Sequence, residues 1–391
     1  LSAHLSIIGG GPAGLRAAEI ASSQGVSVTL FDGKPSVGRK FLVAGKGGLN
    51  ITHGEALEKF TTRYSGPQEF WRETISSFSP HDLREWATGL GVETFQATSG
   101  RVYPKALKAA PLLRRWIARL KENGVTFAMN HRLTAIDPGF TLSFENGTTH
   151  RCDAVLLALG GGSWPQTGSD GSWINILERL GVPVAPLQPA NCGWEHTWPE
   201  EILPTIEGVP LKNIHVRAGD QLAIGELMLT RYGVEGGAIY QLGATLRGME
   251  SPAIAIDFKP TFTVEQLAQK LSHVKRDYLE AARISWKLSD AACALLSLRP
   301  YIDAASLAKE VKNHIIPLTR PRPIAEVISS AGGVPFSALD GNLMLRDHPG
   351  IFLAGEMIDW EAPTGGYLMQ GCFATATRSA AAASIWLKQF C

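Results

Sequence analysis

The chain has 391 residues, 45% of them apolar and 19% charged, with 37 lysines and arginines against 36 aspartates and glutamates. That composition suits a globular protein with a buried core, and the length suits two or three domains at ~100–200 residues each. A net charge of +1 argues against any broad electrostatic pull toward nucleic acid or anionic membrane, and no apolar run approaches the ~20 residues that span a bilayer.

The chain's first residues lead into HLSII at 4–8, which reads as a short buried strand, and they lack the charged region and cleavage site of a secretory signal. Gly9-x-Gly11-x-x-Gly14 follows, then a helix over 12–24 and a second strand at 26–32 that ends on Asp32. In this strand–turn–helix–strand setting the first glycine permits a tight turn, the second admits a diphosphate to the backbone, and the third lets the helix close on the sheet. Pro12 and Ala13 open the helix, whose free N–H groups meet the phosphate charge. Asp32, 18 residues beyond Gly14, is placed to hold a ribose hydroxyl. This motif alone does not separate NAD from FAD.

Residues 55–123 read as mostly helical, with Ser79-Pro80 an N-cap followed by proline at the first helical position, and a helix over 111–123 stopped by Gly124. Strands are expected at 125–129, 132–137, 140–145 and 153–159. From about 183 to 260 the chain turns rich in Pro, Gly and β-forming residues and reads as an antiparallel sheet or barrel. Thr263 to Gln266 is a capping box opening helices over 264–315. A strand at 351–354 and a small-residue helix near 366–387 close the chain. The five cysteines, Cys152, Cys192, Cys293, Cys372 and Cys391, are scattered without CxxC spacing, which argues against a disulfide framework, a metal site or a redox dithiol and points to a reducing, cytoplasmic compartment.

Two later segments favour FAD. VLLALGGGSWPQTGSDG at 155–171 runs from a buried strand into glycines at Gly160. IFLAGEMIDWEAPTGGYLMQ at 351–370 runs from a strand into Gly355-Glu356, then Asp359, then a helix start at Gly365-Gly366-Tyr367. An acid beside a ribityl chain and a positive helix end at the pyrimidine edge of a flavin suit this pattern, and NAD sites lack such a C-terminal return.

With these motifs, and GRKFLVAGKGGLNIT at 38–52, GELMLTRYGVEGGAI at 225–239 and AEVISSAGGV at 325–334, the chain resembles the BaiN-like (YhiN-type) family of NAD(P)/FAD-dependent oxidoreductases over nearly its whole length. The resemblance implies an α/β fold: a Rossmann-like FAD-binding domain of the glutathione-reductase type, residues 1–190 with 323–391, interrupted by a β-rich substrate subdomain, 191–262 with 316–322, and a small helical subdomain, 263–315, the insertion covering the flavin. It implies hydride transfer at flavin N5 to or from a small carbonyl, amine or enone compound. Where the family reads GGGRCN, this chain has Gly48 and Leu49 in place of the Arg and Cys. Where the family reads THFG, it has Thr230-Arg231-Tyr232-Gly233.

Arg39, Lys40 and Lys46 are candidates for phosphate contact or ring polarisation, with solvated loop charge as the alternative. Asn50 is expected at the flavin edge. Arg231 and Tyr232 are the candidates for catalysis, one orienting a carboxylate or carbonyl and the other donating a proton, with Glu226 a partner for Arg231. Tyr367 stacks near the ring or simply packs, Trp164 and Trp360 wall the pocket, and Cys372 is expected to be inert. No second GxGxxG offers NAD(P)H its own domain, so a nicotinamide would dock only as a transient co-substrate. Competing readings are an NAD-dependent dehydrogenase and a flavin-bearing RNA-binding or assembly factor. Residues 262–325 carry ten Lys and Arg against six Asp and Glu, weak support for the latter. The expected partner is a small molecule, with neither membrane nor nucleic acid.

Overall fold

The computed structural model describes residues 3–45 and 47–389. They fall into two compact units, one running to Gln188 and resuming at Ser329, the other Pro189–Ile328.

The first unit is organised on a five-stranded parallel sheet in the order Ile351–Leu353, Ala154–Leu157, His4–Ile8, Ser27–Asp32, Thr126–Met129. The chain starts in the middle and builds outward both ways, so the strand order reverses beside His4–Ile8. A crevice opens at the carboxyl ends of such strands at the point of reversal. All four residues of Ala154–Leu157 and all three of Ile351–Leu353 are buried, as expected of parallel strands covered on both faces. Pro12–Ser23 packs against the closing helix Tyr367–Lys388. Buried small residues on both, among them Ala17, Ala18, Ala21, Ala376, Ala380 and Ala383, allow close approach. Behind them lies Glu19, 6% exposed, accepting from Arg16 (3.0 Å), Arg119 (3.0 Å) and the indole N–H groups of Trp86 (2.8 Å) and Trp116 (3.2 Å).

Helices Leu57–Thr61, Gln68–Ser77, Pro80–Gly89 and Ala109–Glu122 account for the helical reading of 55–123, and Ser79 caps the third in a reciprocal box with Asp82. A small sheet of Thr52–His53, Arg101–Pro104 and Thr94–Gln96 also lies in this stretch. The sequence reading missed it because strands of two to four residues carry too little alternation to register.

The second unit holds a six-stranded antiparallel sheet in the order Trp194–Glu195, Gly233–Glu235, Gln221–Thr230, Pro210–Ala218, Ala253–Asp257, His314–Pro317. Helix Gly237–Arg247 packs on it. Four short helices, Val264–Lys270, Tyr278–Ser285, Asp290–Leu296 and Ala304–Lys312, follow in the stretch read as helical, the first opened by the Thr263–Gln266 capping box. The architecture is thus an α/β, Rossmann-like parallel core interrupted by a β-rich and helical insertion.

Candidate functional site

Three glycines shape the crevice in three different ways. Gly9 has φ +109°, and a Cβ there would stand 2.3 Å from the Ala158 carbonyl oxygen. A Cβ on Gly14 would stand 1.8 Å from the Gly9 oxygen, so helix and turn touch backbone to backbone. Gly11 has an ordinary φ of −77° and nothing within 4 Å of its Cβ position. Its missing side chain therefore serves open space in the cleft rather than the fold. Gly11 is also the N-cap residue of Pro12–Ser23, with no side chain bonded to the first-turn N–H groups, which leaves them for an anion.

Gly9, Gly11, Pro12, Ala13, Asp32, Arg39, Lys40, Gly160, Gly355 and Glu356 all line this one cleft. Gly14 lies beneath it. The Gly355 turn, at φ +78°, approaches Ala13 so closely that a Cβ would be 2.9 Å from the alanine methyl, so the two ends of the chain meet here. Asp32 accepts from the Gly10 N–H (2.8 Å) on one carboxylate oxygen and the Lys34 N–H (2.7 Å) on the other. Burial pushes its carboxyl up from the ordinary aspartate value, and those two N–H groups pull back against it. Lys40 donates to Ser163 Oγ at 3.0 Å and lies 3.6 Å from Glu356. Among the described residues seven buried side-chain polar atoms have no hydrogen-bond partner, and one of them, Arg39 Nε, belongs to a residue that lines the cleft. An unpaired buried polar atom is costly, and Asn50 Oδ1, also among the seven, belongs to a residue expected at the flavin edge but outside the cleft lining.

Other expected residues stand elsewhere. Lys46 lies outside the described residues. Asn50, Asp359, Gly365, Gly366 and Tyr367 are not among the residues lining the cleft. Gly366, at φ +99°, sits against the Thr52 backbone, where a Cβ would be 2.5 Å from main-chain atoms. The Tyr367 phenol donates to Glu55, which also accepts from Arg63 Nε and Nη2, each at 2.9 Å, and the His53 ring stacks on Tyr367 at 5.3 Å. Burial, and then Glu55, push the Tyr367 phenol up. The Trp360 indole donates to the Gly355 carbonyl at 2.9 Å and so props the turn. Cys372 reaches the cleft wall, but burial holds its thiol far above its ordinary value, in keeping with an inert role.

The sequence reading missed the far end of the cleft, lined by Lys34, His131, Arg132, Ser169, Asp170 and Trp173. Arg132 pairs with Asp170 at 2.6 Å and the Trp173 indole donates to the Gly160 carbonyl at 2.8 Å. The run SWPQTGSDG held the signal for Ser169 and Asp170. His131 and Arg132 come from a strand end with no motif around it.

In the second unit Arg231 and Tyr232 part company. Arg231 is 63% exposed and pairs with Glu207 (3.3 Å) and Glu200 (3.7 Å). Glu226, expected as its partner, lies within the strand Gln221–Thr230 and faces Lys212 at 3.9 Å on the paired strand instead, whereas Arg231 sits in the turn beyond the strand end. The Tyr232 phenol donates to Glu235, and the Arg322 guanidinium lies 4.5 Å over its ring. Burial, followed by Glu235, raises the Tyr232 phenol.

The chain belongs to the HI0933-like family: the sequence profile of the HI0933-like protein Rossmann domain matches residues 3–383. It is therefore an FAD-dependent oxidoreductase, of the family that its BaiN-like motifs indicated, and the open Gly11, the uncapped helix start and the unpaired Arg39 Nε at the cleft fit FAD. It is 25% identical over 412 residues to the 3-dehydro-bile acid delta(4,6)-reductase of Clostridium scindens, covering 97% of this chain and 99% of that one. It is 24% identical over 389 residues to the ribosomal RNA dihydrouridine synthase of Escherichia coli, covering 95% of each. The Haemophilus influenzae protein of the same name matches at 24% over 66% of this chain and 65% of its own. These two relatives overturn the expectation that nucleic acid plays no part, which rested on net charge, a whole-chain average blind to local patches. Among solved structures, the 3-ketosteroid delta1-dehydrogenase of Sterolibacterium denitrificans shares the fold, with TM-score 0.54 at 13% identity over 97% of this chain and 99% of that one. Among the described residues no helix is long and apolar enough to cross a membrane.

Proposed function

We propose that this flavoprotein saturates a carbon–carbon double bond conjugated to a carbonyl, and that the uracil ring of a ribosomal RNA is the bearer to test first. The observation that carries the reading is the shared chemistry of the two relatives that match nearly end to end. A Δ4,6 system beside a 3-ketone and the C5=C6 bond of uracil beside its C4 carbonyl both accept hydride at the β-carbon and a proton at the α-carbon. Bound FAD supplies the hydride at N5.

The chain's own residues do the rest. The Gly9–Gly14 turn and the start of Pro12–Ser23 hold the diphosphate, and Asp32 holds the ribose. Arg39 Nε and Asn50 Oδ1 complete their hydrogen bonding on the cofactor. Lys40 stands between Ser163 and Glu356 as the cation beside the flavin. Lys46, Gly160, Gly355, Glu356, Asp359, Gly365, Gly366 and Tyr367 remain assigned to the cofactor. Tyr232, whose phenol donates to Glu235, hands its proton to the α-carbon. Arg231, held by two exposed carboxylates, orients the substrate. NAD(P)H is the electron donor and docks without a domain of its own. The structural subdivision of the insertion into 191–262 with 316–322 and 263–315 belongs to this reading too.

Stopped-flow spectroscopy tests it. The yellow enzyme should bleach with NADH or NADPH and regain its 450 nm band when mixed anaerobically with uridine-bearing ribosomal RNA or a cyclic enone. Reduced enzyme that reoxidises only with air would sink the reading. Tyr232→Phe should slow reoxidation by the unsaturated substrate and leave bleaching unchanged.

A further inference from the structure

We infer that the second unit carries an RNA-backbone groove, set between the Pro210–Ala218 strand and the loop after Ala253–Asp257, in which Lys212, Lys259 and Lys287 take the phosphates. The inference rests on the RNA arm of the proposed function and adds where the strand is held.

The lining residues include these three lysines and His215, and no aspartate or glutamate. Each lysine is placed by irregular backbone. Lys212 lies in the β-bulge between Leu211 and Ile214, beside Asn213 at φ +54°. Lys287 itself has φ +52°. Lys259 follows the last strand residue Asp257, whose carboxylate accepts its N–H at 2.9 Å. A bulge turns an extra side chain out of the ladder, so the positions are fixed by main chain and not by chance rotamers.

Of the neighbouring acids, only Glu226 pairs with a groove lysine side chain among the described residues. Asp257 is taken by Lys312 at 2.6 Å, Asp290 faces Arg283 at 3.8 Å, and Glu226 reaches Lys212 only at 3.9 Å across exposed surface. Glu265 lies on the adjoining surface near Lys270. Lys259 spends one N–H on the Lys287 carbonyl at 2.8 Å and keeps two. Burial holds its ammonium below the ordinary value, with Cys293 pulling the other way and Lys270 and Lys287 adding smaller like-charge contributions.

Two apolar surfaces lie among the lysines. Ile224 is 64% exposed, and the Phe262 ring lines the groove with the Lys270 ammonium 4.1 Å from its centroid. An aromatic ring between cations suits a base beside a phosphate chain, and Ile224 adds apolar surface that a ribose or base edge can cover.

The test is salt-dependent fluorescence anisotropy of the flavin-loaded full chain with a labelled ribosomal RNA hairpin. Each lost phosphate contact lowers the slope of log affinity against log salt by roughly 0.7–0.9. Lys212→Gln with Lys259→Gln and Lys287→Gln should therefore flatten the slope by about 2–3, and the corresponding three arginines should restore it. The pair Lys212→Gln and Lys287→Gln, both on exposed side chains, guards against misfolding and should flatten the slope by about 1.4–1.8. All variants should keep wild-type flavin content and wild-type reoxidation by a free cyclic enone. Unchanged slopes, absence of RNA binding at low salt, or displacement by polyglutamate as effective as by unlabelled RNA would each overturn the groove. RNA held with the expected slopes while its uracils stay unreduced supports the groove and removes only the proposed substrate.

Discussion

At the scale of single residues, the cleft separates groups that serve the fold from groups that serve a ligand. Gly14 serves the fold, since any side chain there would strike the Gly9 carbonyl. Gly11 does not, since its Cβ direction is empty. Gly11→Val should therefore leave the melting temperature of the flavin-free protein unchanged while abolishing flavin retention, read from the ratio of 450 nm to 280 nm absorbance. A variant that keeps its colour would refute the diphosphate position. Asp32→Ala removes a charged hydrogen-bond acceptor, worth ~1.5–3 kcal/mol. Flavin affinity should fall by about 10–100-fold, measured by fluorescence titration of the apoprotein. The sequence made both residues legible because the motif states its own geometry. It could not show that Asp32 is already engaged by two backbone N–H groups, since that depends on the turn at Gly10 folding over the end of a neighbouring strand.

Between elements, charged groups do the joining. Glu19 ties the first helix to Ala109–Glu122 through Arg119 and Trp116, and to Pro80–Gly89 through Trp86. Glu19→Ala leaves Arg16 buried without its carboxylate, a loss of about 3–5 kcal/mol, which urea denaturation of the apoprotein should register. The Glu55 carboxylate ties the short strand region to the start of the closing helix. Burial raises its pKa, but hydrogen bonds from Arg63 and Tyr367 and the charge of Arg63 outweigh this, and the net shift is downward from 4.5. A carboxylate with a depressed folded pKa adds stability above its unfolded value and loses it as pH falls through the folded one. Stability should thus drop below about pH 4.5 in the wild type, and Glu55→Gln should be less stable at pH 7 by ~1.5–3 kcal/mol with a shallower acid limb. Equal acid limbs in both proteins would count against the pair. Neither network was visible in the sequence: Glu19 and Arg119 are 100 residues apart, Glu55 and Tyr367 312, and nothing in local spacing links them.

For the whole molecule, the insertion leaves and re-enters the first unit through neighbouring strands, Ala185–Ala190 and Ser329–Gly333, which pair in a two-stranded sheet. Replacing residues 191–326 by a short Gly-Ser linker should therefore yield a protein that still binds flavin, since every residue lining the cleft lies outside the insertion, and that has lost reoxidation by an unsaturated substrate. A colourless product would show that the insertion helps to hold the cofactor. Local chemistry by itself determined the nucleotide turn, the helix caps at Ser79 and Thr263, the parallel-strand core and the change of character near residue 183, because each depends on residues within one or two turns of chain. Tertiary structure alone decided that Arg132 and Asp170 close the far end of the cleft, that Glu226 turns from Arg231 to Lys212, and that three lysines spread over 76 residues share one groove. Contacts of that kind are set by how strands register and helices dock, which hydrophobic burial fixes for the chain as a whole and no short stretch encodes.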